Sequence, residues 1–241
     1  MRTRVIVVFA AVASAAATAS AQWSDNFDTY SIGTINGQGG WKGWDNTPAA
    51  AGLVTNNVFN SAPNSQQING GADSVREYAG YTSGQWSYGG DVFIPSGLTT
   101  GHTYFILLNK YLDNGTAADY RWSSQLTFNL ATGLAYDSLA GGNVNPSPGS
   151  LSIPVVRDAW IPFRVDFDLT ADTQSIYYNN TLVMATSWKR GNATGANALA
   201  AVDLFANNSG AIFYDNLALI PAPGVSALLA LGGLLAARRR R

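Results

Sequence analysis

The sequence has no cysteine, a single histidine and few charged residues. Among its 241 residues there are 0 Cys and 1 His, and Asp, Glu, Lys and Arg together make up 12%. The lack of cysteine excludes disulfide bonds, thiol nucleophiles and thiolate metal sites. The one histidine, His102, follows Gly101 in a predicted turn, and no Gly-x-Ser-x-Gly motif is present. A histidine-based nucleophilic triad therefore has no support.

The few charges are unevenly distributed. Six of the 14 basic residues lie near the termini, at Arg2, Arg4 and positions 238–241. The body between them carries eight basic against 15 acidic residues, a net charge of −7. Such an acidic body argues against nucleic acid as a partner, because nucleic-acid binding needs basic patches. It is compatible with a neutral glycan or with calcium.

What the chain does contain favours short strands and many turns. It has 25 Gly, 12% aromatic residues and 46% hydrophobic residues. Glycine suits tight turns, and aromatic side chains suit strands. Without its two ends the chain keeps roughly 200 residues, a common size for one all-β sandwich.

The clearest strand pattern lies in residues 159–185. Apolar residues alternate with mixed ones from Ile161 to Leu169, which predicts a half-buried strand. Asn179 and Asn180 can adopt the positive φ of a tight hairpin, so we expect a three-stranded antiparallel meander. The apolar face of this meander must pack against a second layer, and the rest of the sequence shows little helical periodicity. We therefore predict an all-β, two-sheet antiparallel β-sandwich of ten to thirteen strands, with 103–109 as a central strand.

Residues 1–21 have the pattern of a secretory signal peptide. Arg2 and Arg4 precede an apolar run over 5–17, and Ala-Ser-Ala at 19–21 fits a cleavage site. We predict an N-terminal signal helix and export. An uncleaved membrane-spanning helix is the alternative reading of this short run.

The composition changes abruptly at Pro221. An apolar segment rich in Gly, Leu and Ala covers 224–237 and is followed by four arginines. A hydrophobic helix over 220–237 would barely span a bilayer core of ~30 Å, with the arginines on the cytoplasmic side. The predicted organisation is a signal peptide (1–21), a jelly-roll domain (22–220) and a sorting or anchor segment (221–241).

This ending resembles the PEP-CTERM sorting signal of Gram-negative bacteria. The resemblance rests on Pro221, Ala222, Pro223, Arg238, Arg239, Arg240 and Arg241. Ala222 stands where that family usually has glutamate. The resemblance implies removal of the tail by an exosortase-type membrane protease, after signal peptidase has acted at the other end. It also implies delivery to the cell envelope or extracellular matrix, with transient or permanent anchoring in the inner membrane. A plain uncleaved anchor is the alternative.

The body is similar to concanavalin A-like and laminin-G-like jelly rolls. The similarity rests on SDNFDTYSIGTINGQGGW (24–41), WIPFRVDFDL (160–169) and FYDNLAL (213–219). It implies a two-sheet carbohydrate-binding type of fold. In this fold, laminarinase-type glycosidases carry Glu-x-Asp-x-Glu on one strand, whereas this chain has a single glutamate, Glu77.

The absence of that motif predicts that the protein is not an enzyme. The nearest analogue is Arg164-x-Asp166-x-Asp168, whose side chains share one strand face. A divergent glycoside hydrolase using Asp166 and Asp168 is the alternative. The interpretation that we favour for these residues is a solvated strand face with local ion pairing, which contributes little to stability.

A structural Ca²⁺ is the cofactor that the resemblance implies. Such modules often hold it where the first and last strands meet, and Asp25, Asp28 and Asp215 lie in those segments. The competing interpretation is that these aspartates end strands and cap turns. No other cofactor is predicted.

Glycan binding would need exposed aromatic platforms beside hydrogen-bonding groups. The first candidates are Trp41 and Trp44, which lie in a glycine-rich loop. The second candidate face comprises Trp160, Arg164, Asp166 and Asp168. We assign Trp122, Tyr177 and Trp188 to packing.

These observations lead to three functional hypotheses. The first is an exported, non-enzymatic envelope or matrix protein with a structural or adhesive role. The second is a carbohydrate-binding module for an extracellular polysaccharide. The third is the divergent glycoside hydrolase.

Overall fold

The computed structural model describes residues 22–222, which form two antiparallel sheets. The strands are β1 (Trp23–Asp25), β2 (Gly33–Thr34), β3 (Trp41–Gly43), β4 (Leu53–Thr55), β5 (Ser65–Ile68), β6 (Asp73–Glu77), β7 (Gln85–Phe93), β8 (His102–Lys110), β9 (Arg121–Asn129), β10 (Leu134–Asp137), β11 (Ile153–Pro154), β12 (Trp160–Asp168), β13 (Thr173–Tyr178), β14 (Thr181–Thr186), β15 (Ala201–Asn207) and β16 (Ile212–Pro221). Two short 3-10 helices, Trp44–Asn46 and Pro48–Ala50, follow β3.

The sheets have nine and seven strands. The nine-stranded sheet has the order β14-β13-β12-β7-β16-β5-β4-β2, with β1 also paired to β16. The seven-stranded sheet has the order β11-β10-β9-β8-β15-β6-β3. The predicted all-β, two-sheet antiparallel sandwich is confirmed. The 16 strands of residues 22–222 exceed the predicted ten to thirteen, because two-residue strands such as β2 and β11 are too short to show alternation.

The predicted meander is confirmed in β12, β13 and β14. Phe163 of β12 pairs with Tyr178 of β13, and β13 returns into β14 through Asn179 and Asn180. These two asparagines have φ values of 47° and 57°. Asparagine tolerates this left-handed conformation, so the two-residue hairpin forms without backbone strain.

The inward faces of the two sheets form the main core. Phe163, Val165 and Phe167 of β12 are buried in one cluster with Phe105 and Leu107 of β8. The rings of Phe105 and Phe163 have centroids 4.5 Å apart. Burying these alternating side chains holds the two sheets together, since each apolar face excludes water from the other.

The seven-stranded sheet is apolar on both faces. Its central strand, β8, turns Phe105 and Leu107 towards the main core, whereas Tyr104 and Ile106 belong to a second cluster on the outer face. A strand that is buried on both faces has a continuous run of apolar residues in its sequence. Since β8 lies between β9 and β15, the predicted central position of 103–109 is confirmed. Loops cover this outer face only in part, and the uncovered part carries a cavity.

The predicted terminal helices lie outside the described residues. Pro221 is the last residue of β16, and the Ala222 N–H donates to the carbonyl of Gln85 at 3.0 Å. Within residues 22–222, no helix is both long enough and apolar enough to cross a bilayer.

Candidate ligand-binding cavity on the seven-stranded sheet

A cavity of about 330 Å³ lies on the outer face of the seven-stranded sheet. Strands β6, β8, β9 and β15 form its floor, and the loops after β3 and β10 form its walls. The lining residues are Trp44, Asp73, Tyr104, Ile106, Trp122, Gln125, Leu139, Asn143, Val144, Asp203, Phe205 and Asn207. The volume is at the lower end of small-molecule sites, which measure roughly 300–1,000 Å³.

Two aromatic pairs line the cavity. The indole rings of Trp44 and Trp122 stack with an interplanar angle of 12° and centroids 6.3 Å apart. The rings of Tyr104 and Phe205 stack at 15° and 5.4 Å. His102, which begins β8 instead of lying in a turn, stacks on Tyr104 at 6.2 Å. Such rings offer flat apolar surface in an otherwise polar setting.

Hydrogen bonds of its neighbour Asp45 hold Trp44 at the cavity. Asp45 adopts a positive φ of 53°, and its N–H donates to the Tyr111 hydroxyl at 2.9 Å. Its carboxylate accepts a hydrogen bond from the Tyr120 hydroxyl at 2.6 Å. The Trp44 ring also packs edge-on against Tyr111, with centroids 4.9 Å apart. The position of this indole is therefore set before any ligand arrives.

A β-bulge brings Trp122 to the same face as Gln125. Residues three apart face opposite sides of a regular strand. In β9, however, Trp122 pairs with Leu108 and Ser124 with Leu107, so Ser123 is an extra residue in the ladder. The bulge re-aims Trp122 outwards, and both Trp122 and Gln125 line the cavity.

Two carboxyl groups meet at the floor of the cavity. Asp203 of β15 lies opposite Val75 of β6, and Phe205 lies opposite Asp73, so the two aspartates are diagonal neighbours on one face. The two carboxyl groups lie close enough for each to affect the pKa of the other. Asp203 is only 3% exposed, and its Oδ1 has no hydrogen-bond partner among the described residues.

The surroundings raise the pKa values of both carboxyl groups. Burial, and then the neighbouring Asp73 carboxylate, raise the pKa of Asp203 well above its usual range. Burial also raises the pKa of Asp73, with a further contribution from the charge of Asp45. A carboxyl pair of this kind retains one proton at a pH where an exposed pair would be fully ionised.

An amide network forms the wall on the β9–β10 side. The Gln125 side-chain amide donates to the Ser138 hydroxyl at 2.8 Å and to the Asn143 side-chain oxygen at 3.2 Å. The Tyr136 hydroxyl donates to the Val144 carbonyl at 2.7 Å. These bonds fix the loop after β10 over the sheet and leave polar atoms beside the aromatic rings.

The cavity is acidic. Among the described residues that line it there is no Lys or Arg. Lys42 lies on a neighbouring strand of the same sheet, where its ammonium pairs with Glu77 and Asp113. That ammonium is therefore already neutralised.

Of Trp41 and Trp44, the two tryptophans predicted as platforms in the glycine-rich loop, only Trp44 lies at the cavity. Trp41 is 1% exposed, and its Nε1 donates to Asp25 Oδ2 at 2.9 Å inside the main core. The predicted exposed platform at Trp41 is corrected for this reason. Trp41 is the first residue of β3 and points inwards, whereas Trp44 lies in the 3-10 turn beyond the strand.

The second predicted face lies on the nine-stranded sheet, away from the cavity. Arg164 Nε pairs with Asp166 Oδ2 at 3.0 Å, and the guanidinium lies 3.9 Å from the Tyr177 ring centroid. Asp168 accepts hydrogen bonds from Gln85 and from the backbone of the following turn. Smaller depressions of about 220 and 140 Å³ adjoin these residues. Half-exposed, mutually paired charges of this kind match the solvated-face interpretation.

Trp160 begins β12 on that same sheet. Its ring packs against Phe93, with centroids 5.6 Å apart. It is half-buried and does not line the cavity. The Trp160 face is therefore a separate surface.

The aspartates predicted to hold calcium hydrogen-bond to separate sets of protein groups. Asp25 accepts from Tyr30 and Trp41, whereas Asp28 accepts from the backbone N–H of Asn64. Asp215 accepts from the backbone and side chain of the Asn60–Ser61 loop. No group of three or more His, Cys, Asp or Glu side chains placed to hold a metal ion occurs within residues 22–222. The residues do not fit a shared calcium site, because protein donors already occupy their oxygens.

Of the twelve residues that line the cavity, sequence reasoning identified only Trp44; the polar and aromatic residues that it missed include Asp73, Trp122, Gln125 and Asp203. Trp122 was assigned to packing because it alternates with Leu126 and Phe128, which are core residues, and the bulge was not foreseen. Asp203 did leave a signal, since a charged residue interrupts the apolar run AVDLF of β15. Burying a carboxylate in an apolar strand costs free energy unless the group is paired or hydrogen-bonded, so its presence there points to a functional site.

No family model and no curated protein sequence matches the chain. Among solved structures, a sialidase aligns with a TM-score of 0.52 and 11% identity over 83% of this chain, which spans only 18% of the sialidase chain. The carbohydrate recognition domain of Emp47p aligns with a TM-score of 0.52 and 9% identity over 88% of this chain and 100% of that domain. A carbohydrate esterase from the Shiga toxin-encoding bacteriophage phi24B aligns with a TM-score of 0.51 and 10% identity, over 86% and 100% respectively.

These matches correct the prediction that the protein is not an enzyme. A carbohydrate esterase has this fold over its whole chain, and a sialidase contains it over 18% of its chain, so the missing Glu-x-Asp-x-Glu motif does not exclude an enzyme. At identities near 10% the likeness shows the fold alone. The chain has the jelly-roll fold found in carbohydrate-binding and lectin-like proteins.

Proposed function

We propose that the protein binds a glycan in the cavity of the seven-stranded sheet. The observation that carries the proposal is the stacked Trp44–Trp122 pair in a cavity that is also lined by the buried carboxyl groups of Asp73 and Asp203. The C–H faces of a sugar ring pack well on indole, and its hydroxyl groups suit carboxylate and amide partners. Because the network around Asp45 fixes Trp44 in advance, binding costs little side-chain entropy.

Replacement of Trp44 by alanine is expected to weaken glycan binding by at least about ten-fold, which corresponds to about 1.4 kcal/mol. The measurement is a glycan array followed by titration calorimetry with the best ligand. Trp160→Ala is the matched control, since it removes a half-buried tryptophan from the other sheet and should leave the affinity unchanged. Loss of binding in Trp160→Ala alone would show that the binding site lies on the nine-stranded sheet. If the wild-type protein bound no glycan, the proposed function would be refuted.

A second candidate is hydrolysis of an ester group on the bound glycan. The observation that favours it is the neighbouring position of Asp73 and Asp203 on the cavity floor, where burial raises the pKa of both carboxyl groups. The ionised member can accept a proton from water as the water oxygen attacks the acyl carbon, while the protonated member donates to the carbonyl oxygen. The tetrahedral intermediate then collapses: it returns the second proton to the carboxylate that donated it, the bond from carbon to the sugar oxygen breaks, and the first carboxyl group gives its proton to that oxygen, which leaves as a sugar hydroxyl. Release of acetate from an acetylated polysaccharide, lost in Asp203→Asn and kept in Asp166→Asn, would support this candidate.

Export and C-terminal sorting also remain our proposal, supported by the patterns of residues 1–21 and 221–241. We expect a mature species that begins at Gln22, after signal peptidase, and lacks the arginine-terminated tail, after an exosortase-type enzyme. Cell fractionation with intact-mass measurement tests this. A full-length tail in the inner-membrane fraction would support an uncleaved anchor, and a species retaining residues 1–21 in the cytosol would refute export.

A further inference from the structure

The cavity combines three features that bear on ligand charge. Two carboxyl groups, those of Asp73 and Asp203, lie in its floor, and aromatic rings line its sides. Asp203 is only 3% exposed and lines the cavity, and the Oδ1 atoms of Asp203 and Asp73 have no hydrogen-bond donor among the described residues. An unpartnered buried carboxylate oxygen costs free energy, which a donor group of a ligand would recover.

No protein cation supplies that donor. The lining contains no basic side chain among the described residues, and Lys42 is occupied by Glu77 and Asp113. Asp45, which supports Trp44, adds negative charge near Asp73. The field in the cavity therefore favours a positive group and disfavours an anionic one.

We propose that the cavity selects an amino sugar, a hexosamine residue with a free ammonium group, which hydrogen-bonds to Asp203 and Asp73 while the ring packs on Trp44. This inference rests on the glycan-binding function proposed above. An ammonium-to-carboxylate bond is charge-assisted and roughly twice as strong as one between neutral groups. The aromatic walls add a cation–π contribution. Uronic acids are disfavoured because their carboxylate would face the negative charge of the carboxyl pair and would find no cation in the lining.

Ammonium binding is linked to protonation of the carboxyl pair. Because the pKa values of Asp73 and Asp203 are raised, the free pair holds a proton that the ammonium displaces. Affinity should therefore rise with pH until the amine itself loses its proton, and binding should release a fraction of a proton. The other charged or titratable groups on this face are Lys42, Asp45, Glu77, His102, Tyr104, Tyr111, Asp113, Tyr120 and Tyr136.

The experiment compares three oligosaccharides with the same β-1,4-linked backbone. Titration calorimetry of the exported protein should give glucosamine hexamer an affinity at least about ten-fold higher than cellohexaose or N-acetylglucosamine hexamer. Asp203→Asn should bring the glucosamine hexamer down to the affinity of cellohexaose and abolish proton release. Asp166→Asn, on the other sheet, should change neither.

Each outcome decides between the two proposals. Equal affinity for the three hexamers, lost in Trp44→Ala, would overturn the amino-sugar inference and leave glycan binding standing. A preference for an oligouronate would likewise overturn the inference. No binding of any oligosaccharide would refute both. If the melting temperature shows that Asp203→Asn does not fold, Asp73→Asn serves as the second variant. An unchanged preference for the glucosamine hexamer in a folded Asp73→Asn variant would count against the inference.

Discussion

Replacement of Arg190 by methionine is expected to lower the free energy of unfolding by about 3–5 kcal/mol. The Arg190 guanidinium pairs with Asp137, whose side chain is fully buried. Its Nε also donates to the Ser123 carbonyl at 2.7 Å. Without Arg190, the Asp137 carboxylate keeps one oxygen that is already unpartnered and loses its counter-charge at the other. An uncompensated buried charge is among the most costly defects a fold can carry.

Urea denaturation monitored by tryptophan fluorescence measures this loss. Lys189→Met is the matched control, because Lys189 pairs only distantly with Asp172, at 3.9 Å, and is partly exposed. It should change the free energy of unfolding by no more than about 0.5 kcal/mol. The double variant Asp137→Leu/Arg190→Met should recover much of the loss, since removing both charges leaves nothing uncompensated. A single Arg190→Met variant as stable as the wild type would show that the pair does not support the fold.

Replacement of Asp203 by asparagine is expected to stabilise the protein at pH 8 by about 1–3 kcal/mol, while weakening binding of an amino sugar. Burial raises the pKa of Asp203 above its value in the unfolded chain. The folded state therefore holds a proton that the unfolded state has already lost, and stability falls as pH rises from the unfolded towards the folded pKa. Asparagine is neutral and nearly isosteric, so it removes this loss.

The size of the effect should depend on pH. Near pH 4, where the carboxyl group is protonated in the folded state, the gain of Asp203→Asn should shrink towards zero. Thermal melting at pH 4, 6 and 8 checks this, and Asp166→Asn is the control because Asp166 is partly exposed and paired with Arg164. If Asp203→Asn were less stable than the wild type at every pH, the Asp203 carboxyl group would already have hydrogen-bond partners in the folded protein. The cavity would then offer no unpaired carboxylate to a cation.

The sequence by itself determined the architecture wherever one strand carries its own pattern. The alternation in 161–169 specified β12, and Asn179-Asn180 specified the hairpin that follows it. The apolar run 103–109 specified a central strand with two covered faces. These features are local, because side-chain alternation and positive-φ turns depend on residues within a few positions of one another. They could be predicted without knowing any partner strand.

Only the tertiary structure decided which residues form the cavity. Asp73 and Asp203 lie far apart in the sequence and meet because β6 and β15 pair in one particular register. Trp122 faces outwards because of a bulge, and Trp41 and Trp44 separate because a strand ends between them. Strand pairing, register and bulges follow from how all the apolar faces pack at once, and a shift of one residue would send each of these side chains to the opposite face of its sheet.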